Sequence, residues 1–330
     1  MPWKRLVNSA LRRTVGYELS HPPGHPSWRI SAPRGGRLLV APVFILSAAR
    51  SGSTLARAIL DSHSRLYAPP ELPLKHLGVR ADTRWIQASM DALRLTEEDL
   101  NRMLWDHVLA DLLARTGKPT IVVKTPSNVL IWEDIASCWP DARFIFLLRH
   151  PGAAVASLRA SFDPQWHRGE SGTLEEAVAK ALRYMTKVEE ARRALPGLTV
   201  HYEKLTSDPG AEVRRMCSFL GLPFEAAMLD YGRFAHGPFV PGLGDASDKI
   251  RSGRIQPTPS PAPGEAPPAF RDICLAWGYP VPGAEPDHGE ASARTVAGTG
   301  PLASEPALAD PCPPERASPR SGMPGPAQAR

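Results

Sequence analysis

Four short runs along the chain are apolar with almost no polar alternation: Val43–Ser47, Thr120–Val123, Phe144–Leu148 and Leu198–Tyr202. That pattern is expected of parallel strands buried on both faces. Leu100, Leu104, Val108 and Leu112 repeat at helical spacing after a Thr96-x-x-Asp99 start. Thr173-x-x-Glu176 opens a second helix that runs to about Ala194. Asp208-Pro209 supplies a cap and a first-turn proline before Val213, Met216, Phe219 and Leu220. Strands alternating with helices predict an α/β fold with a parallel sheet and right-handed crossovers. Such sheets bind ligands at the carboxyl ends of their strands, so the residues after Ser47, Val123, Leu148 and Tyr202 are the ones to read for chemistry.

Beyond Gln256 the pattern gives way to TPSPAPGEAPP, followed by one helical segment, Pro268–Gly278, with Phe270, Ile273, Cys274 and Trp277 on one face. Residues 281–330 are rich in Pro, Ala, Gly and Ser, and are predicted to be a disordered tail. Residues 1–37 form a basic N-terminal segment, leaving 38–280 as the α/β domain. The N-terminal stretch MPWKRLVNSALRRTVGYEL lacks an apolar core and cleavage site, so no signal peptide is read. It is expected to pack on the domain as a helix, with a weak membrane contact as the alternative. The longest apolar run, Leu38 to Ala49, is too short to span a bilayer. The chain therefore reads as cytoplasmic, without stable membrane insertion.

A net charge of +5 over 330 residues fits a site for an anionic ligand better than a nucleic-acid surface. Cys138, Cys217, Cys274 and Cys312 form no CxxC pair, which argues against a disulfide framework and a zinc site. The first three read as buried free thiols.

FILSAARSGSTLARAIL is a strand, a tight turn and a helix. Ser47, Ala48, Ala49, Ser51, Gly52 and Ser53 are small enough to let backbone N–H groups approach an anion. Thr54 and the first helical turn add a positive dipole end, and Arg50 adds a fixed charge. Ser and Gly also serve as ordinary helix capping, so the loop alone is moderately specific. A nucleotide-hydrolase loop would need GxxxxGK[ST], but Gly52 is followed by Ser53 and the cation precedes the Gly. No strand ends in the Asp that usually holds magnesium, and Phe144–Leu148 ends in Arg149. The site is expected to hold phosphate-like anions with protein cations and no metal.

RFIFLLRHPGAAVASLRASF repeats this logic: a strand ends in Arg149, Pro151 starts a helix, and Ser157 lies eight residues beyond Arg149. The pair can grip a second phosphate by a forked contact and a hydroxyl. An Arg paired to a surface carboxylate and a solvent-facing Ser is the bland alternative. Lys124 follows the second strand, at the same sheet edge as Arg50 and Arg149. Two grips on one edge suit a nucleotide phosphorylated at both ends of its ribose.

These residues resemble the sulfotransferases that use 3′-phosphoadenosine 5′-phosphosulfate (PAPS), and most nearly a bacterial branch similar to the tyrosylprotein sulfotransferases. ARSGSTLARAILDSH looks like their 5′-phosphosulfate loop, and KTPSN with DARFIFLLRHPGAAVASL like their second-strand Lys segment and 3′-phosphate motif. VHYEKLTSDPGAEVRRMCSFLGLP resembles the segment that supplies a Tyr near adenine, and GLGDASDKIRSGRIQP the closing loop. The resemblance runs from about Leu38 to Tyr279, with the motifs in the family's order. It implies a three-layer sandwich around a central parallel sheet, the P-loop-nucleotide-hydrolase-like sulfotransferase fold.

Carried over by position, it assigns Arg50, Ser51, Gly52, Ser53 and Thr54 to the 5′-phosphosulfate. Arg149 and Ser157 go to the 3′-phosphate, Tyr202 to adenine, and Lys249 and Arg251 to the closing loop. Ser247 maps roughly to a serine that stabilises the transition state. A Glu 21 residues after the loop Arg serves as base in the tyrosylprotein branch, and here that position is Glu71, with Pro70 rather than an acid beside it. His63 is the alternative base, ahead of His107 and His150.

In this scheme Glu71 takes the acceptor proton, while Arg50 and Lys124 stabilise charge on the departing phosphate. PAPS is the co-substrate and 3′-phosphoadenosine 5′-phosphate (PAP) the product. The acceptor is a hydroxyl or amine on a small molecule, sugar, lipid or peptide tyrosine, and a homodimer stays open. Leu72–Asp91 and Phe162–Gly172 are expected on the acceptor side, with Trp85, Phe162 and Trp166 as aromatic walls or as core. A non-catalytic nucleotide-binding protein and an atypical P-loop kinase are the competing readings.

Overall fold

The computed structural model describes residues 18–20, 29–31, 37–164, 171–240, 243–258 and 266–281. All belong to the unit Met1–Asp287; the predicted tail from residue 282 on, Trp166 and Cys312 lie outside the described residues. Two short strands, β1 (Glu18–Ser20) and β2 (Arg29–Ser31), pair antiparallel. The end of the predicted N-terminal helix is therefore extended, and residues 1–17 lie outside the described residues.

The main sheet holds β3 (Val43–Ser47), β4 (Leu66–Tyr67), β5 (Thr120–Lys124), β6 (Arg143–Leu148) and β7 (Gly197–His201). Its order is β4-β5-β3-β6-β7 and every pairing is parallel. Val43 to Ile45 are buried, and their neighbours alternate between two cores, as the period of two requires. Phe44, Leu46, Phe144, Phe146 and Leu148 face one core, while Val43, Ile45, Ile145 and Leu147 face the other. Helices cover both faces, giving three layers.

The helices are α1 (Ser53–Asp61), α2 (Arg84–Leu93), α3 (Glu97–Ala114), α4 (Trp132–Cys138) and α5 (Pro151–Ala160). After them come α6 (Leu174–Ala194), α7 (Tyr202–Ser207), α8 (Pro209–Phe219), α9 (Asp248–Arg251) and α10 (Arg271–Trp277). Thr96 and Asp99 form a full capping box, Thr173 accepts from the Glu176 N–H, and Asp208 caps α8 ahead of Pro209. Cys138, Cys217 and Cys274 are buried free thiols.

Three details differ from the sequence pattern. Tyr202 begins α7 instead of ending β7. The two-residue strand β4 carries no periodic signal of its own. In α3 the buried stripe is Trp105, Asp106 and Leu109, one position from the apolar series, because Asp106 accepts hydrogen bonds from Leu38 N, Leu39 N and Trp139 Nε1. Among the described residues no helix is long and apolar enough to cross a membrane.

Candidate active site

The chain crosses from β3 towards β4 and β5 on one side and reaches β6 on the other, so the crevice of the sheet opens beside the ends of β3 and β6. The loop after β3 turns through two left-handed residues, Arg50 (φ 62°) and Gly52 (φ 83°). Gly52 is the N-cap of α1 and no side chain caps that helix, so its first-turn N–H groups remain available to an anion. Gly52 also packs so closely on Tyr202 that a Cβ would lie 2.1 Å from the ring.

Arg149 follows β6 and ties together the two segments whose sequence suggests anion binding. Its Nη1 donates to Arg50 O at 2.7 Å, and its guanidinium lies 4.8 Å over the Tyr202 ring. Arg50 Nε donates to Ser157 Oγ at 3.1 Å, so the loop cation reaches the helix that follows Arg149. Ser51 Oγ and Arg149 Nε are buried with no hydrogen-bond partner among the described residues. Glu203 supports this end of β6, accepting from His150 N at 3.0 Å and from Tyr279 Oη at 2.7 Å.

Lys124, the last residue of β5, is buried, forms an ion pair with Glu71, and reaches Thr54 Oγ1 at 3.4 Å. Burial pushes its ammonium below the ordinary lysine range, and the Glu71 carboxylate opposes that shift. Gly244 crosses over this group: a Cβ there would lie 2.8 Å from Thr54 Oγ1 and 3.1 Å from Glu71 Oε1. Beside it, Asp245 N–H donates to Thr54 Oγ1 at 3.0 Å and Asp245 Oδ1 pairs with Arg50 Nη2 at 3.2 Å.

A cavity of about 740 Å³ joins these pieces. Arg50, Gly52, Ser53, Thr54, Glu71, Arg149, Ser157, Tyr202, Ser247 and Lys249 line it. Lys124 and Ser51 sit in the wall behind them. Arg251 lies away from the lining and donates to Phe239 O at 3.2 Å. His63 is buried elsewhere, its Nδ1 accepting from Arg65 N and its Nε2 bonding Pro223 O at 2.9 Å. His150 is buried, and His107 is exposed on α3. Trp85 is 85% exposed on α2 and Phe162 packs beside Gly172; neither lines the cavity.

Asp245, Gly244 and Lys180 line the cavity without having been singled out in the sequence. Lys180 sits between Ala179 and Ala181 on α6, where nothing local marks it. Asp245 could have been found from the charge it places in a Gly-rich closing loop. Among the described residues no group of His, Cys, Asp and Glu is arranged to hold a metal ion.

The parallel sheet with helices on both faces and the uncapped start of α1 beyond β3 has the arrangement of the P-loop-like three-layer α/β folds. The chain belongs to the sulfotransferase family, whose model matches residues 42–226. It is 31% identical over 209 residues to the nodulation protein NoeE of Sinorhizobium fredii, covering 54% of this chain and 49% of NoeE. It is 24% identical over 208 residues to the protein-tyrosine sulfotransferase of Drosophila melanogaster, covering 59% of this chain and 41% of that protein. The chain thus spans about half the length of the curated relatives it matches. Among solved structures, the sulfotransferase domain from the curacin biosynthetic pathway shares the fold, with a TM-score of 0.53 at 22% identity. That alignment covers 74% of this chain and 99% of that domain.

Proposed function

We propose that this protein transfers a sulfuryl group from PAPS to an acceptor hydroxyl or amine, with Glu71 as the base. The observation that carries the reading is the joining of two anion grips in one cavity. Arg50 and the start of α1 form one, Arg149 and Ser157 the other, and the Arg149–Arg50 hydrogen bond links them. A nucleotide with phosphates on both sides of its ribose needs two such grips. The residues fit it: Ser51 Oγ and Arg149 Nε are buried polar atoms awaiting partners, and about 740 Å³ is the size of a nucleotide pocket.

The donor supplies a sulfuryl group on a phosphate leaving group. Arg50 and the α1 N–H groups face the charge that develops on that phosphate, where fixed donors count most. Lys124 stands behind Thr54 and Glu71 and adds a buried charge to the same point. Glu71 lines the cavity, where its carboxylate can take the acceptor proton as the new bond forms. Its ion pair with Lys124 fixes one carboxylate oxygen in place before acceptor arrives.

Calorimetry tests the reading. PAP should bind far more tightly than AMP or ATP, both of which lack the 3′-phosphate. Arg149→Ala should weaken PAP by on the order of 2–4 kcal/mol, as expected on truncating one partner of a charged hydrogen-bonded pair. Equal affinities for the three nucleotides would remove the PAPS assignment.

A further inference from the structure

Glu71 sits in a short span, Ala68-Pro69-Pro70-Glu71-Leu72, whose two ends are gripped by separate elements. At the first end, Arg57 and Asp61 lie four residues apart, on one face of α1. Ala68 N–H donates to Asp61 Oδ1 at 2.7 Å, and Arg57 Nη1 donates to Ala68 O at 2.8 Å. Both side chains are buried. They are braced from behind by residue 236: Arg57 Nη1 also donates to His236 O at 3.1 Å, and Asp61 Oδ2 pairs with His236 Nδ1 at 2.8 Å.

At the other end, Thr125 Oγ1 donates to Leu72 O at 3.0 Å, and Asn128 Nδ2 donates to the same oxygen at 3.3 Å. Asn128 Oδ1 accepts from Leu74 N at 3.0 Å. The Asn128 amide thus pairs with the 72–74 backbone as a neighbouring strand would. Between the grips stand two prolines, whose rings fix φ and leave the span little freedom.

None of Arg57, Asp61, Thr125 or Asn128 lines the cavity. Their placement nevertheless follows the chemistry. Arg57 and Asp61 belong to the helix whose first turn carries Ser53 and Thr54. Thr125 directly follows Lys124 at the end of β5, and Asn128 lies in the turn of 3-10 helix that comes next. Glu71 is therefore fixed relative to the two elements that hold the donor site. Burying the charges of Arg57 and Asp61 is a poor source of stability, because desolvation offsets much of what their contacts return. We propose that Arg57, Asp61 and Asn128 are positioning residues that fix the Glu71 carboxylate against the donor site. This inference rests on the reading of Glu71 as base.

The test is ³⁵S transfer from PAPS to phenol and to the more acidic 4-nitrophenol. Asn128→Ala, Asp61→Asn and Glu71→Gln are compared with the Asn128→Ala/Glu71→Gln double variant, with PAP affinity and thermal melting measured on each. Asn128→Ala should lower kcat by roughly 10–10²-fold, the scale of an ångström-sized misplacement, while PAP affinity stays unchanged. The loss should shrink with 4-nitrophenol, which needs less help from a base. In the double variant Asn128→Ala should add almost nothing to Glu71→Gln, because residues acting through one group are not additive. If Asp61→Asn does not fold, Asn128→Ala and Thr125→Val carry the comparison. Additive losses, or PAP affinity falling in step with kcat, would overturn the positioning role while Glu71→Gln remains impaired. Normal turnover by Glu71→Gln would overturn the base assignment and this inference together.

Discussion

A methyl group on residue 52 would lie 2.1 Å from Tyr202 Cδ2, on a backbone with φ of 83°. Both facts exclude a side chain there. Gly52→Ala should destabilise the fold by about 2–4 kcal/mol through a strained φ and overpacking against Tyr202, measurable by urea denaturation. At Glu71 the expected loss is in turnover instead. Glu71→Gln should lower kcat roughly 10²–10⁴-fold, the usual range for general-base catalysis. It should also act on Lys124, whose ammonium burial pushes down and Glu71 holds up. Removing Glu71 leaves only the weaker pull of Asp245 against burial, so Lys124 should lose its proton at lower pH, and the basic limb of PAP binding should move to lower pH. Titrating PAP affinity against pH for both proteins checks the sign; a limb moving to higher pH would contradict it. Arg50 to Thr54 and Arg149 were legible in the sequence because small residues and strand-end arginines announce themselves locally. The Arg50–Asp245 and Lys124–Glu71 pairs were not, since their partners lie 195 and 53 residues apart and only the fold brings them together.

Four of the five strands of the main sheet could be read from their apolar runs, and three helix starts from their caps. The offset stripe of α3 could not. Its register is set by Asp106, a buried acid held by two backbone N–H groups and an indole. A polar residue that organises a core is invisible to a hydrophobic pattern. The helix α10 was read from Phe270, Ile273, Cys274 and Trp277, and it is fastened by a polar contact as well. Trp277 Nε1 donates to Glu189 Oε2 at 2.9 Å, beside Arg192 and Arg193. Burial alone would push the Glu189 carboxyl up, but Arg192, Trp277 and Arg193 outweigh it and hold it below the ordinary range. A carboxyl held down in the folded state adds stability above its unfolded pKa of about 4.3, and loses it as pH falls through the lower folded value. Glu189→Gln should therefore cost stability at pH 7 and flatten the acid limb of a stability–pH curve. Trp277→Phe should cost about 1–2 kcal/mol for the lost bond to a charged acceptor. Chemical denaturation across pH separates the two, and an unchanged acid limb in Glu189→Gln would contradict the assignment.

For the molecule as a whole, the order of the motifs was visible in the chain, but the strand order that makes the crevice was not. Apolar runs say that strands are buried and nothing about which strand lies beside which. The stretch matched by the family, residues 42–226, holds Arg50, Glu71, Lys124, Arg149 and Ser157. The residues that roof them, Gly244 to Ile250, come from beyond it. Within that roof, Asp245 already occupies Arg50. On the proposed reading, an arriving anion would compete with this carboxylate for Arg50, and binding would become an exchange. The affinity would then be smaller than the strength of the grip, by the cost of dislodging Asp245. On departure the exchange runs backwards, and a carboxylate tethered nearby acts at an effective concentration on the order of millimolar. Asp245→Asn should thus tighten PAP binding and slow its dissociation, which stopped-flow chase experiments would report as a lower off-rate. Faster release from the variant would contradict this. A side chain that competes with the ligand for its own cation would act as a built-in eluent, setting how long the desulfated nucleotide stays.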